Sequence, residues 1–382
     1  MAQLKAIASA KIDSFKQDLI AVSSDIWKKP EVAYEEHEAH QNLTNFLEKK
    51  GFTVERSYTG IETAFRATFG SGRPNVCVIC EYDALPEIGH ACGHNLIAEA
   101  GVAAGLGLKA VLESSDAPKG MVTVLGTPAE ESGGGKIDLL GNGAFDEIDI
   151  SMMIHPAPYS ILKPIFVKRM HLKIKFASKT SQDNALDAAI LAYTSISHMR
   201  QQIKTTCSIH GIIVDGGCHP NLVPDKSVME YEIRGLTTSD AHALYKRART
   251  CFEAAANATG CQVIMDNPCK SYDDLNCNSI LADLYLRNVR DLGVVDIQET
   301  KFENGSTDMG NVSYAVPSIH PMYKIGNGEM YHTRDFKSVT NIPEAHSTTL
   351  QWAKAMAHTC VDVMTGEGIL DKIKQMHTYH NN

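Results

Sequence analysis

The chain has 382 residues, of which 43% are hydrophobic and 21% are charged, a composition that excludes a disordered or fibrous protein. This length exceeds the size at which a single hydrophobic core stops growing, so we expect two domains. The net charge of -9 and the absence of a dense basic run argue against nucleic acid as a partner. We also expect no membrane association, because no segment approaches the roughly 18 uninterrupted apolar residues of a membrane span.

Cysteine usage and the N-terminal sequence predict a cytoplasmic location. The segment Met1–Ala6 has no apolar core followed by a small-residue cleavage site, so secretion is not expected. The ten cysteines are then better interpreted as reduced core residues or metal ligands than as disulfides. Cys77 and Cys80 have the spacing of a redox or zinc pair. They lie in an apolar run without a second pair, however, which favours a core role.

The first part of the chain alternates predicted helices with apolar strands. The amphipathic pattern from Leu4 to Lys29 predicts one helix that ends at Pro30, and a second helix runs from Tyr34 to Lys50. Further along the chain we predict strands at 65–69, 76–80, 121–126 and 150–154, a long helix at 96–113 and a short helix at 136–144. This alternation favours an α/β fold with a mostly parallel sheet flanked by helices.

Polar residues follow three of these strands at their C-terminal ends. The strand at 76–80 leads into residues 81–95, which contain three acids, two histidines and a cysteine. The strand at 121–126 leads into the Glu130–Glu131 pair, and the strand at 150–154 ends at His155. Open α/β sheets usually carry their sites at this edge. We therefore expect the three segments to share one site.

The pattern changes after Pro164, where residues 170–176 alternate apolar and polar side chains as a half-exposed strand does. The predicted elements that follow are a helix at 185–202, strands at 208–214 and 228–236, a helix at 239–258 and a strand at 261–265. This order predicts a ferredoxin-like (split βαβ) domain inserted into the larger one. The predicted boundaries are 165–275 for the inserted domain and 1–164 with 276–382 for the larger, discontinuous domain.

A set of thiol, imidazole and carboxylate side chains suits zinc or a similar transition metal: Cys92, His94, Glu131, His155 and His332. Only Cys92 and His94 are close enough in sequence to chelate locally, so the set requires the strands to lie side by side. A lone histidine before a proline is more often packed or on the surface, and an acidic pair is more often solvated. Two neighbouring carboxylates after an apolar strand can, however, divide the work between metal binding and proton transfer.

Several blocks of the sequence resemble, in this order, the aminoacylase and amidohydrolase branch of the dinuclear-metal aminopeptidase-like hydrolases: Glu81–Pro86, His90–Asn95, Thr127–Gly134, His155–Pro156 and Tyr331–Phe336. The resemblance covers nearly the whole chain. Asn95 and the segment Gly305–Ser313 are most similar to the subgroup with β-alanyl-lysine dipeptidase and p-aminobenzoyl-glutamate hydrolase. The resemblance implies a metallopeptidase with two divalent metal ions, zinc, manganese or cobalt. Such an enzyme hydrolyses an amide bond in small dipeptides or N-acyl amino acids.

The resemblance also implies a role for each matching residue of the larger domain. Cys92 would bridge the two metal ions, and the other metal ligands would be His94, Glu131, His155 and His332. Glu130 would be the general base that takes a proton from the attacking water. Asp83 matches a position that holds a ligand in orientation.

The resemblance implies that the inserted domain is a lid that also pairs two subunits into a homodimer. In it, Asn221 and Arg234 match positions that contact the substrate carboxylate and carbonyl in relatives. Arginine suits that task because its planar guanidinium can hold a carboxylate bidentately. A structural arginine paired with Asp225 or Glu232 is an equally fair alternative.

The sequence departs from the family after the first strand of the inserted domain. Relatives carry a Gly-x-x-Ser-His-Ala block there, whereas Phe176–Asp183 runs directly into Asn184 in this chain. In the family, the histidine of that block helps to polarise the scissile carbonyl, and losing one such donor typically costs on the order of a hundredfold to a thousandfold in rate. His171 and His210 are nearby substitutes, but histidines on strands are more often structural.

We therefore predict a metal-dependent dipeptidase or amidohydrolase, with β-alanyl-lysine-type dipeptides as the favoured substrates. The first alternative is a metal-binding but catalytically impaired relative, which the missing histidine block motivates. A weaker alternative is a redox protein that uses Cys77 and Cys80.

Overall fold

The computed structural model describes residues 1–302 and 305–381, and their contacts divide the chain into two compact units. The larger unit contains residues 1–164, residues 275–302 and the segment from Asn311 onward. The smaller unit contains residues 165–274 together with residues 305–310, which the sequence analysis assigned to the larger domain. A backbone hydrogen bond from Val167 N–H to Gly305 O, at 3.1 Å, ties this segment to the smaller unit.

The elements of the first 165 residues are, in chain order, α1 (Ala2–Ser14), α2 (Lys16–Lys28), α3 (His37–Lys49), β1 (Thr53–Arg56), a 3₁₀ turn (Tyr58–Gly60), β2 (Phe65–Ser71), β3 (Asn75–Cys80), α4 (His94–Leu112), β4 (Gly120–Gly126), α5 (Gly135–Gly141), β5 (Ile150–Met152), β6 (His155–Ala157) and β7 (Ile161–Ile165).

The elements of the smaller unit are β8 (Lys168–Ala177), α6 (Ala185–Met199), a 3₁₀ turn (Arg200–Gln202), β9 (Ser208–Asp215), β10 (Lys226–Gly235), α7 (Thr238–Thr259) and β11 (Gln262–Asp266). The remaining elements are α8 (Ser279–Asp291), β12 (Gln298–Phe302), α9 (Met309–Ala315), β13 (Ser318–Ile319), β14 (Met322–Lys324), α10 (Arg334–Val339), α11 (Pro343–Thr365) and α12 (Ile369–Asn381).

The main sheet of the larger unit has the strand order β1-β2-β4-β3-β5-β13 in the described residues. Strands β4, β3, β5 and β13 pair in parallel, whereas β2 pairs antiparallel with both β1 and β4. The prediction of a mostly parallel sheet flanked by helices is therefore confirmed. Parallel pairing brings the C-terminal ends of β3 and β4 to the same edge, which is where the polar segments begin.

The smaller unit has the ferredoxin-like arrangement that the sequence predicted. Its strand order is β11-β8-β10-β9, with antiparallel pairing throughout. The apolar side chains of β8 and β10 pack with those of α6 and α7 into a separate hydrophobic core. The strand β9 forms one edge of this sheet and β11 the other.

One predicted helix is in fact two. The amphipathic pattern from Leu4 to Lys29 continues through Phe15, but the chain breaks there with φ -107° and ψ 10°. Both α1 and α2 pack against α4, so their apolar stripes stay in phase although the helix is interrupted. No proline or glycine marks the break in the sequence.

The prediction also missed a small sheet of the larger unit, with the order β12-β7-β14-β6. Its strands have three to five residues each, too few for an alternating pattern to show.

The helix α4 lies at the centre of the larger unit and contacts β3, β4, α1, α2 and α11. It is long and apolar enough to cross a membrane by length and composition, but most of its residues are buried inside the protein, as in the core helix of a globular fold. Its glycines allow a close approach to the sheet. A Cβ atom at Gly101 would lie 2.5 Å from Cys80 Sγ and 2.6 Å from Ile79 O.

Replacing Gly101 with alanine should therefore destabilise the larger unit. Because the added methyl group meets the backbone of β3, the helix must move away from the sheet, and we expect a loss of about 1–3 kcal/mol in unfolding free energy. Thermal and urea unfolding would measure it. The matched control is Gly141→Ala in α5, where a Cβ atom meets nothing within 4 Å. Equal stability of the two variants would contradict the close-packing argument.

Candidate metal centre

The five predicted ligands come together in the larger unit. Their donor atoms, together with a carboxylate oxygen of Glu130, form overlapping groups whose members all lie within 4.8 Å of one another: Cys92 with His94 and His155, Cys92 with Glu131 and His332, and His94 with Glu130 and Glu131. Cys92 belongs to two groups that otherwise share no residue. This position suits the shared ligand that the resemblance implied.

Two imidazoles of the cluster are oriented by hydrogen bonds at Nδ1. His94 Nδ1 lies 2.9 Å from Asp83 Oδ1, and His155 Nδ1 lies 2.8 Å from the carbonyl oxygen of Pro156. Since an ionised carboxylate and a carbonyl can only accept, each Nδ1 carries a proton, and the neutral ring would present the lone pair of its Nε2 to a metal ion. His155 Nε2 then lies 3.5 Å from Cys92 Sγ.

Asp83 connects two ligand-bearing segments. Its Oδ1 accepts from His94, and its Oδ2 accepts the backbone N–H of Glu131 at 3.0 Å. Burial alone would raise the pKa of Asp83, but the charge of His94 and its hydrogen bond outweigh burial and lower the pKa. The carboxyl group is thereby kept ionised, as an orienting acceptor must be.

Buried ligand atoms without hydrogen-bond partners indicate that the cluster fits a cation. His94 Nε2 and Glu131 Oε1 are buried, and neither has a hydrogen-bond partner among the described residues. They lie 3.7 Å apart. Burial would lower the pKa of His94, yet the charge of Asp83 and its hydrogen bond raise it well above its usual value. The site therefore attracts positive charge at this nitrogen, and mixed thiolate, imidazole and carboxylate donors suit a divalent transition metal.

Backbone geometry brings the remaining ligands into place. Gly93 has φ +80°, and a Cβ atom there would lie 2.5 Å from Pro156 Cγ, so glycine allows the His155 segment to approach Cys92. His332 comes from the C-terminal part of the chain, and its N–H donates to Ala91 O at 3.0 Å. Its Nε2 lies 3.5 Å from Glu131 Oε2.

Sequence reasoning missed several buried polar residues around the cluster. Lys136 Nζ lies 2.5 Å from Glu81 Oε1, and both side chains are buried. His320 is buried with its ring 5.5 Å from that of His155. Glu36 accepts a hydrogen bond from the backbone of Ala129. In the sequence, Lys136 follows three glycines and Glu36 belongs to a Glu-Glu pair, and both patterns resemble those of surface residues. The local sequence therefore gave no sign that these side chains are buried.

The predicted substrate residues Asn221 and Arg234 lie in the smaller unit. Asn221 is exposed on the loop between β9 and β10. Arg234 lies on β10, directly opposite Arg169 of β8. The Glu232 carboxylate, one of the two alternative partners of Arg234, accepts from Arg169 at 2.8 and 2.9 Å and lies 2.8 Å from His171 Nδ1. His171 therefore has a structural role in this sheet.

The shortened segment of the smaller unit folds as a local turn. Asp183 Oδ2 accepts the backbone N–H groups of Lys179 and Thr180, at 2.9 and 2.8 Å. Asn184 then caps α6 by accepting from the N–H groups of Leu186 and Asp187. The missing histidine block thus leaves a complete turn. His210, the other suggested substitute, is exposed on β9 beside Arg200.

The interpretation of Cys77 and Cys80 as core residues agrees with their positions in β3. All ten cysteines are free thiols, and these two are fully buried. Residues three apart in a strand point to opposite faces of the sheet, so the two thiols cannot pair with each other. Burial raises the pKa of Cys77 to about 12, which makes its thiol unreactive.

Comparison with known proteins identifies the family. The model of the peptidase family M20/M25/M40 matches residues 76–347 of the chain. The chain belongs to this family. Over 395 aligned positions it is 43% identical to the Xaa-Arg dipeptidase of Mus musculus, covering 97% of this chain and 91% of that protein. It is 27% identical to a p-aminobenzoyl-glutamate hydrolase chain of Escherichia coli, covering 96% of this chain and 93% of that protein.

A solved relative has the same fold. The Bacillus subtilis YXEP protein, a dinuclear metal-binding peptidase from the M20 family, superposes with a TM-score of 0.71 at 19% identity, covering 92% of this chain and 99% of that chain. The alignment with the mouse dipeptidase is longer than the 382 residues of this chain, so the relative carries residues that this M20/M25/M40 member lacks. Family membership makes this chain a hydrolytic enzyme, as the sequence predicted.

Replacing Cys92 with alanine should reduce metal binding, because this thiol is shared by two of the ligand groups. We expect at most one tightly held divalent ion per chain and an affinity lower by at least about tenfold to a hundredfold. Elemental analysis after dialysis against zinc or manganese would measure the stoichiometry. The matched control is Cys218→Ala, an exposed thiol of the smaller unit, which should leave it unchanged. Full metal content in Cys92→Ala would exclude this cysteine as a ligand.

Proposed function

We propose that this peptidase is a metal-dependent dipeptidase with two divalent ions, zinc, manganese or cobalt, held by Cys92, His94, Glu131, His155 and His332. The observation that carries the proposal is the buried cluster itself. It unites thiol, imidazole and carboxylate donors around ligand atoms that no group of the described residues satisfies. Glu130, the residue before Glu131, is buried and lies beside that cluster.

The residues of the cluster then divide the reaction between them. A bound divalent ion would polarise the scissile carbonyl and acidify the attacking water. Glu130 takes a proton from that water as the water oxygen bonds to the carbonyl carbon, and it delivers the proton to the leaving nitrogen as the carbon–nitrogen bond breaks. Asp83 keeps His94 in the tautomer that leaves Nε2 free to bind metal.

We propose dipeptides with a basic C-terminal residue as the substrates, with β-alanyl-lysine as the first candidate. The support is the 43% identity to a relative named for Xaa-Arg dipeptides. Asn221 and Arg234 are proposed to bind the substrate carbonyl and carboxylate, since a guanidinium holds a carboxylate bidentately. The alternative of a catalytically impaired protein gains no support from the relatives, which are named as hydrolases.

A hydrolysis assay on metal-analysed protein tests this proposal. β-Alanyl-lysine, β-alanyl-arginine and α-dipeptides ending in lysine or arginine would be compared with N-acyl amino acids, with and without chelator. We expect turnover of the basic dipeptides that chelation abolishes and added metal restores. Preferred turnover of N-acyl amino acids would contradict the substrate, and undiminished turnover after complete removal of metal would contradict the mechanism.

Replacing Glu130 with glutamine should abolish proton transfer while the ligand set stays in place. We expect kcat to fall by about a hundredfold to ten-thousandfold, with little change in metal content. Glu87→Gln is the matched control, because Glu87 is an exposed acid in the turn before the metal ligands. If Glu130→Gln lost metal in proportion to activity, Glu130 would act as a ligand instead of the base.

We propose that two copies associate through the smaller unit. The edge strand β9 exposes Ile212 and Val214, with 63% and 51% of their surface accessible, and α6 exposes Ile190, Leu191 and Tyr193. An exposed apolar strand at the edge of a sheet is a ready template for pairing with another chain.

The ten free thiols support our proposal of a reducing, cytoplasmic location.

The double substitution Ile212→Lys and Val214→Lys should convert the dimer to a monomer, because charges would replace the apolar residues of this edge. Light scattering coupled to gel filtration would measure the mass. The matched control is Ile264→Lys on β11, at the opposite edge, where Ile264 is 54% exposed. A wild-type monomer, or a dimer that survives the β9 substitutions but not the β11 substitution, would refute the proposed interface.

A further inference from the structure

The loop between α2 and α3 contacts both segments that carry the catalytic residues. The carbonyl oxygen of Glu31 accepts the N–H of Ala84, next to Asp83, at 2.7 Å. The hydroxyl of Tyr34 lies 3.1 Å from Gly133 O, in the turn that follows β4, and 2.5 Å from Asp138 Oδ2. These contacts place residues 31–36 against the two segments from which Asp83 and Glu131 come.

Glu36 is the most buried acid of this loop. It has no solvent exposure, and its Oε1 accepts the N–H of Ala129 at 2.9 Å. Burial, reinforced by the charge of Asp83, raises the pKa of Glu36 to about 7.

Ala129 needs that hydrogen bond because its backbone is strained. It has φ +61°, in the left-handed region that residues with a Cβ atom rarely adopt. Its carbonyl oxygen accepts from the N–H groups of Gly133 and Gly134, at 3.0 and 2.8 Å. Strained residues of this kind persist only where their surroundings hold them, and they concentrate at active sites.

The residues on either side of Glu130 therefore each donate a backbone N–H to a buried carboxyl group. The N–H of Ala129 is bonded to Glu36, and the N–H of Glu131 is bonded to Asp83. Asp83 acts on the metal ligands as well. The hydrogen bond of Glu36 reaches the backbone of Ala129 and none of the candidate metal ligands.

We propose that Glu36 is a positioning residue for the general base: by accepting the Ala129 N–H, its carboxyl group holds the left-handed turn that directs Glu130 towards the metal cluster. The catalytic part of this proposal rests on the proposed function. The positioning of the turn does not.

The test compares Glu36→Ala, which removes the acceptor, with Glu36→Gln, which keeps an oxygen at the same distance without the charge. Glu35→Ala is the matched control, because the neighbouring Glu35 side chain is 72% exposed. For Glu36→Ala we expect kcat per metal-loaded protein to fall by about ten- to hundredfold, with KM and metal content unchanged. Glu36→Gln and Glu35→Ala should retain kcat within about threefold.

A second measurement follows the opening of the turn and does not depend on enzyme activity. Hydrogen–deuterium exchange of the peptide that contains residues 127–131 should accelerate in Glu36→Ala and stay at the wild-type rate in Glu36→Gln. If Glu36→Ala does not fold, Glu36→Asp replaces it. That substitution withdraws the acceptor by about 1.5 Å, one carbon–carbon bond, and should accelerate exchange in the same peptide.

The outcomes separate the two proposals. Unchanged kcat in Glu36→Ala, or a loss in Glu36→Gln as large as in Glu36→Ala, would overturn the positioning role. If the wild type hydrolysed no amide substrate, the proposed function would fail, and the exchange rates would decide the role of Glu36 alone. Equal exchange in wild type, Glu36→Ala and Glu36→Gln would then overturn it.

Discussion

The carboxyl group of Asp83 is the interaction on which the site depends. One oxygen fixes the tautomer of His94, and the other holds the N–H of Glu131, so a single buried side chain orients candidate ligands that are 37 positions apart in the chain. The parallel pairing of β3 with β4 makes this possible, because it places the ends of both strands at one edge of the sheet. The strand order of the sheet thus determines where the candidate ligand atoms lie.

The sequence was most informative where a pattern is long or a motif is chemically unusual. The buried strands β3 and β4 appeared as apolar runs, and the smaller unit was recognisable from its order of elements. The break at Phe15 was invisible, because the apolar stripe stays in phase across it. The strand β6, with three residues, forms by parallel pairing with β14, some 165 positions along the chain, and local sequence carries no signal of such a pairing.

The same division holds at the site. The candidate ligand cluster was predictable because cysteine, histidine and glutamate together at strand ends form a donor set typical of transition-metal sites. Glu36 was not predictable, because the pair Glu35–Glu36 resembles the solvated start of a helix. Its neighbour Glu35 is in fact exposed. The role that we propose for Glu36 depends on a backbone N–H more than ninety residues away. A side chain that holds the main chain leaves no residue-type signature at its partner, since every amino acid except proline offers the same N–H.

The turn from Ser178 to Asp183 shows how this fold tolerates a change in length. Its hydrogen bonds are local: Asp183 closes the turn, and Asn184 starts the next helix. The residues of this turn belong to neither hydrophobic core, and the entropy of loop closure varies only slowly with length. Chain length at this point can therefore diverge among family members almost independently of stability, which leaves selection on the reaction as the main constraint on it.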